Sequence, residues 1–270
     1  MMFDFLQYPF MIRALFVGVL LAAVIPCVGI IIVLKRLSMM GDTLSHASLA
    51  GLAAGLLMGW SPVCGAILFC VLAALSIEGI RKYFPEHEDI SLAIIMSTGI
   101  GLAGILSGFL TSMADFNSFL FGSILAITNH DILLVAAVCA AVLLTFLLLY
   151  RELFYIALDE KGAKLAGVAV GRVNFIFTIL TAVTVAVAAR TVGALIVSSM
   201  LVIPVACAMQ LGKSYFQTVL YSIFFALMFM VSGLILSFHI PNLKPSGTVV
   251  LIGVGVLLAV MAVRGRMRNA

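Results

Sequence analysis

Nine long apolar runs, separated by short polar segments, constrain the fold of this chain more than any other feature of its sequence. A helix rises about 1.5 Å per residue, so about 20 residues cross the ~30 Å hydrocarbon core of a bilayer. The runs meet or approach this length and cover residues 14–34, 43–60, 63–80, 90–111, 132–150, 173–189, 191–211, 215–238 and 248–263. The sequence therefore predicts an all-α, polytopic membrane helix bundle that forms a single transmembrane domain over residues 1–270.

The composition and a shorter tenth run refine this prediction. Hydrophobic residues make up 64% of the chain and charged residues 10%, whereas soluble domains are roughly half apolar and a quarter charged. The tenth run, 116–128, is too short to span the membrane comfortably. It favours a re-entrant or interfacial helix, which is tolerated where protein or water covers the backbone. We therefore expect about nine transmembrane segments, with eight as the alternative.

The distribution of Lys and Arg predicts the orientation, because cytoplasmic loops carry an excess of these residues. If Lys35 and Arg36 are cytoplasmic, alternation of the nine segments leaves only Arg13, Arg190 and Lys244 outside among the 15 basic residues. The N-terminus is then external and the C-terminus cytoplasmic. The net charge of +4 needs no nucleic-acid partner, because the basic residues lie where membrane topology requires them.

The cysteines favour neither a disulfide nor a metal cluster. They are odd in number, lie inside apolar runs and show no CxxC or Cys/His spacing, so buried thiols are the simpler interpretation. They are Cys27, Cys64, Cys70, Cys139 and Cys207.

An acid and an imidazole lie close together at the start of the second apolar run. If residues 42–46 are helical, Asp42 and His46 stand at i and i+4 on one face. A carboxylate oxygen and a neutral imidazole nitrogen suit a borderline divalent cation. On spacing alone, an N-cap role for Asp42 and a core role for His46 explain the residues equally well. The cost of an ionisable group in a membrane span, roughly 2.5 to 3.5 kcal/mol at a helix centre, favours function.

The same run carries Gly51, Gly55 and Gly59, a small residue at every fourth position. Such a face lets a neighbouring helix approach closely, so we expect Asp42 and His46 to lie inside the bundle instead of facing lipid.

Two other histidines lie beside acids. His87 belongs to the acidic segment 85–89, which we interpret as a solvated cytoplasmic loop or a surface facing another subunit. His130 and Asp131 precede the fifth run, where a helix N-cap is simpler than a cation contact. Whether either histidine contacts metal is left open by the sequence.

The longest polar interruption is the loop 151–172. Its core predicts a short amphipathic helix with Ala163, Ala166 and Gly167 on one side, where small residues would allow close seating in a groove of another protein. A helix lying at the membrane interface, with its charges solvated, explains the composition equally well.

The seventh run contains features typical of both transport pathways and ordinary packed bundles. Pro204 removes a backbone donor at membrane depth, and the hydroxyls of Ser198 and Ser199 can bond freed carbonyls or line water. Interrupted helices of this type are frequent where transporters bind their substrates. We therefore treat these three residues as candidate pathway or hinge positions.

Four sequence elements together resemble the permease subunits of zinc and manganese uptake ABC transporters, of the high-affinity zinc uptake type. The element GDTLSHA at 41–47 is specific, and the matches follow the order of the family over nearly the whole chain. The elements are KRLSMMGDTLSHASL at 35–49, FLFGSIL at 119–125, VGALIVS at 192–198 with VIP at 202–204, and SGLILS at 232–237 with PSG at 245–247.

The resemblance implies a function, a location and partners. It implies import of a divalent metal ion, zinc first and manganese or iron next, across the bacterial cytoplasmic (inner) membrane by alternating access. No cofactor would be bound permanently, and ATP would act only through a partner subunit. The implied partners are a second copy of this chain, two cytoplasmic ATPase subunits and an extracytoplasmic metal-binding protein.

The resemblance also assigns residues. Asp42 and His46 match the candidate metal contacts of the family. Asp159, Glu160, Ala163 and Gly167 match the coupling helix that docks into the ATPase. The chain has no His-rich loop and no second intramembrane His or Cys-His pair, which leaves the identity of the metal open.

Two other function classes compete with an ABC permease. A stand-alone, proton-coupled metal carrier would need no ATPase, so ATP dependence of uptake separates it from the permease. An intramembrane metalloenzyme would need a third ligand and a base near Asp42 and His46. Glu78, the other acid within a run, is predicted near a cytoplasmic helix end, which argues against an enzyme.

Overall fold

The computed structural model describes residues 7–84, 87–110, 127–240 and 243–269. Within these ranges the chain forms helices and no strands, so the predicted all-α class is confirmed. The helices are α1 (Pro9–Leu34), α2 (Met40–Leu57), α3 (Pro62–Arg81), α4 (Glu88–Ser107), α5 (Asn129–Leu148), α6 (Tyr150–Leu158), α7 (Glu160–Leu165), α8 (Val170–Val192), α9 (Ala194–Leu211), α10 (Tyr215–His239) and α11 (Pro245–Asn269).

Eight of the described helices are long and apolar enough to cross a membrane, namely α1, α3, α4, α5, α8, α9, α10 and α11. The ninth predicted segment, 43–60, forms α2, whose 18 residues include glycines, serines, an acid and a histidine that make it less apolar than the others. The bundle is therefore polytopic as predicted. The short helix expected at 116–128 falls almost entirely outside the described residues.

Two groups of helices make up the described bundle. Helix α2 packs against α3 and α4, while α9 packs against α1, α10 and α11. Helix α8 joins the groups, because it contacts α2, α3, α5 and α9. Helices α1 and α8 are largely buried, whereas α4, α5 and α11 direct most of their residues outward. An outward apolar surface on these helices is what a lipid environment requires.

Helices α2 and α3 cross at a pair of glycines. A Cβ atom added to Gly51 would overlap the carbonyl oxygen of Gly65, and a Cβ atom added to Gly65 would overlap that of Gly51. Gly55 extends this contact, since a Cβ atom there would lie 3.3 Å from the Cα atom of Pro62. The predicted close approach along Gly51 and Gly55 is confirmed, because the absence of side chains lets the two backbones touch.

The expectation that Gly59 belongs to the same packing face is wrong. Helix α2 ends at Leu57, and Gly59 follows it with φ +68°, with no other atom within 4 Å of an added Cβ. The amide of Trp60 donates to the carbonyl of Gly55 at 2.8 Å, and the amide of Gly59 donates to the carbonyl of Leu56 at 3.4 Å. Gly59 therefore ends α2 in a Schellman motif, which requires the left-handed backbone that glycine tolerates.

We predict that Gly51→Ala destabilises the bundle by about 1 to 3 kcal/mol, because the added methyl group forces α2 and α3 apart. The midpoint of thermal unfolding in detergent measures the effect. Gly255→Ala is the matched control, since an added Cβ on α11 meets no atom within 4 Å and alanine favours helix more than glycine does. An unchanged midpoint for Gly51→Ala would contradict the close crossing.

Candidate functional site

The start of α2 places Asp42 inside the helix. Helix α2 begins at Met40, and its N-cap is Met39, whose side chain makes no capping hydrogen bond. Asp42 therefore occupies the first turn, and the interpretation of Asp42 as the N-cap is wrong. A first-turn position is one where the helix dipole favours negative charge.

Asp42 and His46 form a narrow accessible strip on an otherwise enclosed helix. From Met40 to Gly55, these are the two residues of α2 that are not buried. They lie one turn apart on the same face. Neither side chain forms a hydrogen bond or ion pair with another residue in the part of the chain that the structure describes. His46 is therefore not a core histidine held by a carbonyl, and both side chains are available to a ligand.

Two neighbouring helices hold this strip in place through glycines. On one side, a Cβ atom added to Gly99 of α4 would lie 3.1 Å from the carbonyl carbon of His46. On the other side, a Cβ atom added to Gly41 would lie 2.6 Å from Cδ1 of Leu201 and 3.4 Å from Cα of Ser198, both on α9. The backbone of α2 at Asp42 and His46 is therefore packed tightly between α4 and α9.

The three candidate pathway residues of α9 differ in their burial. Ser198 and Ser199 are half-buried and donate hydrogen bonds to carbonyls of their own helix, those of Leu195 at 3.3 Å and Ile196 at 2.9 Å. Ser198 lies beside Gly41 and hence near Asp42 in the fold. Pro204 is buried within α9, which continues past it to Leu211.

The break in this region lies before α9 and not at Pro204. Gly193 separates α8 from α9 with φ 99° and ψ 145°, a conformation that is essentially restricted to glycine. We expected Pro204 to interrupt the helix, but one proline inside a helix removes only one backbone hydrogen bond and can leave its course intact.

The accessible pair is not part of a larger ligand cluster. Among the described residues, no group of three or more His, Cys, Asp or Glu side chains is placed to hold a metal ion. A structural zinc site normally has four protein ligands. Within the described residues, Asp42 and His46 are therefore two candidate ligands without a third beside them.

A polar layer that sequence analysis did not identify joins three helices near one end of the bundle. Lys35, just after α1, donates a hydrogen bond from Nζ to Oδ1 of Asn174 on α8 at 2.6 Å. Glu78 on α3 accepts from the Thr178 hydroxyl of α8 at 3.3 Å and pairs with Arg81 at 3.1 Å. The sequence did contain a signal for this layer, because Asn174 and Glu78 lie inside apolar runs. An amide or a carboxylate within a membrane requires a partner.

The loop 151–172 forms two short helices, α6 and α7. Asp159 caps α7 by accepting a hydrogen bond from the amide of Gly162 at 2.9 Å. Gly167 ends the turn after α7 with φ +87°. Glu160 is exposed at the start of α7.

The predicted small-residue face at α7 is exposed in part, since Ala166 and Gly167 are exposed and Ala163 is buried. The side chain of Ala163 is 0% exposed and packs within the chain itself. Leu165, which sequence analysis passed over, is 90% exposed. A partner that meets α7 can therefore contact Leu165, the charged residues and the exposed Ala166 and Gly167, but not Ala163.

Asp131 at the opposite end has a structural role in the described chain. Thr128 caps α5, and its hydroxyl and amide also bond the carboxylate of Asp131, which completes a capping box. Asp131 further pairs with Arg190 at 3.5 Å. The segment does begin a helix, as predicted, but its N-cap is Thr128, and Asp131 lies in the first turn as part of the capping box. His130 and His87 are both exposed.

Comparisons with known proteins place this chain in a family. The model of the ABC 3 transport family matches residues 7–264. A probable metal transport system membrane protein of Treponema pallidum is 35% identical over 98% of this chain and 100% of its own length. The manganese transport system membrane protein MntC of Listeria monocytogenes is 32% identical over 92% of this chain and 88% of its own length. Other relatives are named for high-affinity zinc uptake and for chelated iron transport.

A solved structure agrees with this assignment. The structure of PsaBC from Streptococcus pneumoniae in complex with Fab matches with a TM-score of 0.84 and 29% identity, covering 96% of this chain and 95% of the other. The family match spans nearly the whole chain, so the predicted resemblance is confirmed. The chain belongs to the ABC 3 transport family as a membrane permease subunit of an ABC transporter, in which a separate subunit is the ATPase.

Proposed function

We propose that this permease imports a divalent transition-metal ion, zinc first and manganese or iron next, into the cytoplasm of a bacterium. The proposal rests on the accessible pair on α2. Between Met40 and Gly55, Asp42 and His46 are the two residues that are not buried. Relatives named for zinc, manganese and chelated iron support a metal cargo without choosing among these ions. A stand-alone carrier is disfavoured, since permeases of this family work with a separate ATPase.

The pair is suited to passing an ion on and poorly suited to trapping it. A carboxylate and an imidazole bind borderline divalent ions. Two ligands from one chain leave positions for water, and a homodimer would supply the same pair from its second copy. An ion held by few ligands can leave again, which conduction through a binding site requires.

We propose that the ATPase docks on the loop 151–172 and that its conformational change is transmitted from there to Asp42 and His46. Exposed Leu165 on α7 offers an apolar anchor for that contact, flanked by charged residues. Helix α8 follows the loop and bonds α1 through Asn174 and α3 through Thr178. Helix α3 in turn crosses α2 at Gly51. ATP binding would therefore shift α8 and α3 together and switch α2 between outward-open and inward-open states.

The remaining partners and the orientation follow from the same proposal. An extracytoplasmic metal-binding protein would deliver the ion at the end of the bundle that carries Asp131 and Arg190. The opposite end carries Lys35, Arg81 and the loop 151–172, so the positive-inside rule makes it cytoplasmic, together with the C-terminus.

We predict that water reaches positions 42 and 46 but not the other faces of α2. A chain with Cys64→Ala removes the exposed cysteine, and the other four cysteines are buried. In this background, Asp42→Cys and His46→Cys should react with a membrane-impermeant thiol reagent, because the reactive thiolate forms only where water is present. Ser45→Cys and Ser48→Cys are the matched controls, since both serines are buried. Equal labelling of all four positions would contradict an aqueous route along this strip.

We predict that the double variant Asp42→Ala, His46→Ala lowers metal import by at least about tenfold, since even outer-shell partners of metal ligands contribute roughly 10- to 100-fold to affinity. The measurement is the elemental content of cells that lack other uptake systems and grow in limiting zinc, manganese or iron.

The matched control for this experiment is His87→Ala with Asp89→Ala, which removes an acid and an imidazole from exposed positions at the start of α4. Import should persist in the control. Full import of every metal in the Asp42 and His46 variant would refute the site, and a chain that raises the content of no metal would refute the proposed cargo.

A further inference from the structure

A basic cleft lies at the end of the bundle that carries the polar layer. Its volume is about 950 Å³, and it is bounded by the end of α3, by α7 and by the start of α8. Five basic and two acidic residues line it. Glu78 is paired with Arg81, so positive charge dominates the rest of the cleft, where Glu160 is the other carboxylate.

Four cations are brought together there without an acidic partner in the described chain. They come from three different elements, namely Lys82 after α3, Lys161 and Lys164 on α7, and Arg172 on α8. None of these side chains forms an ion pair or hydrogen bond with another described residue. Like charges gathered in one cleft repel each other, so an anion bound among them would hold α3, α7 and α8 together.

The cleft continues into an apolar groove on the outer surface of a membrane helix. The groove, of about 430 Å³, shares Arg172 and Phe175 with the cleft and extends to Ile176. Phe175 and Ile176 are 52% and 42% exposed, although both lie on the membrane helix α8. One ligand that fills both parts must have an anionic head and an apolar tail.

We propose that this combined site binds one anionic phospholipid, with its phosphate among Lys82, Lys164 and Arg172 and an acyl chain along Phe175 and Ile176. Basic pockets between membrane helices at the cytoplasmic side are suited to anionic headgroups, and a guanidinium forms paired hydrogen bonds with phosphate. An acidic protein segment would match the charge, but Phe175 and Ile176 are exposed on a membrane helix and therefore border lipid, which favours a lipid headgroup in the cleft. The lipid belongs to the cytoplasmic leaflet if this end of the bundle is cytoplasmic, as proposed above.

The test measures lipid retention by the full permease purified with its ATPase. The complex is exchanged into a neutral detergent, titrated with phosphatidylglycerol or phosphatidylcholine, and examined by native mass spectrometry. We expect one retained phosphatidylglycerol per permease copy and weaker retention of phosphatidylcholine. Lys82→Gln with Arg172→Gln should weaken phosphatidylglycerol binding roughly 30-fold, because each basic residue near an anionic lipid surface contributes about 1 kcal/mol. These two substitutions leave α7 unchanged.

The matched control is Arg36→Gln with Lys213→Gln, which removes two exposed positive charges outside the cleft. Phosphatidylglycerol binding should persist in this control. Phe175→Ala should weaken lipid binding while leaving the weak binding of inorganic phosphate unchanged. Equal affinity for the two lipids, unaltered binding in the Lys82 and Arg172 variant, saturation by inorganic phosphate alone, or loss of lipid whenever the ATPase is bound would each overturn the proposal. The readout is lipid, so its failure is separate from a failure of metal import.

Discussion

The contact of backbone with backbone around α2 is the constraint on which the rest of the structure depends. Gly51 meets Gly65 on α3, Gly99 of α4 meets the backbone at His46, and Gly41 meets α9. Because these contacts leave no room for side chains, α2 is enclosed along most of its length. Neighbouring helices cover the rest of α2 from Met40 to Gly55 and leave Asp42 and His46 accessible. The pair therefore marks the one face of this part of α2 that a ligand can reach.

The polar layer gives this enclosed helix a connection to the loop 151–172. Helix α8 follows the loop directly and is bonded through Asn174 to Lys35 and through Thr178 to Glu78. Charged and amide groups at membrane depth are costly unless paired, so these bonds favour movement of α1, α3 and α8 as one unit. The basic cleft lies at the outer side of this unit, where a bound anionic lipid would reinforce it.

Much of the architecture could be predicted from the sequence because membrane helices are long and apolar. The runs anticipated the described spans, and the glycine spacing anticipated the crossing at Gly51. Helix ends were less predictable, because they depend on local hydrogen bonds: α2 begins before Asp42, and Gly59 ends it. Burial was least predictable in the loop 151–172, where a small residue such as Ala163 can face either the chain itself or a partner, and only tertiary packing decides.

We propose that Asp42 and His46 form the passage for the metal ion. The most direct measurement uses vesicles that contain the permease and its ATPase, with the metal-binding protein outside, and compares metal ions imported with ATP molecules hydrolysed. If the ion passes this pair, the double variant Asp42→Ala, His46→Ala still hydrolyses ATP but imports few or no metal ions. The same number of ions per ATP as in the unaltered permease would contradict it.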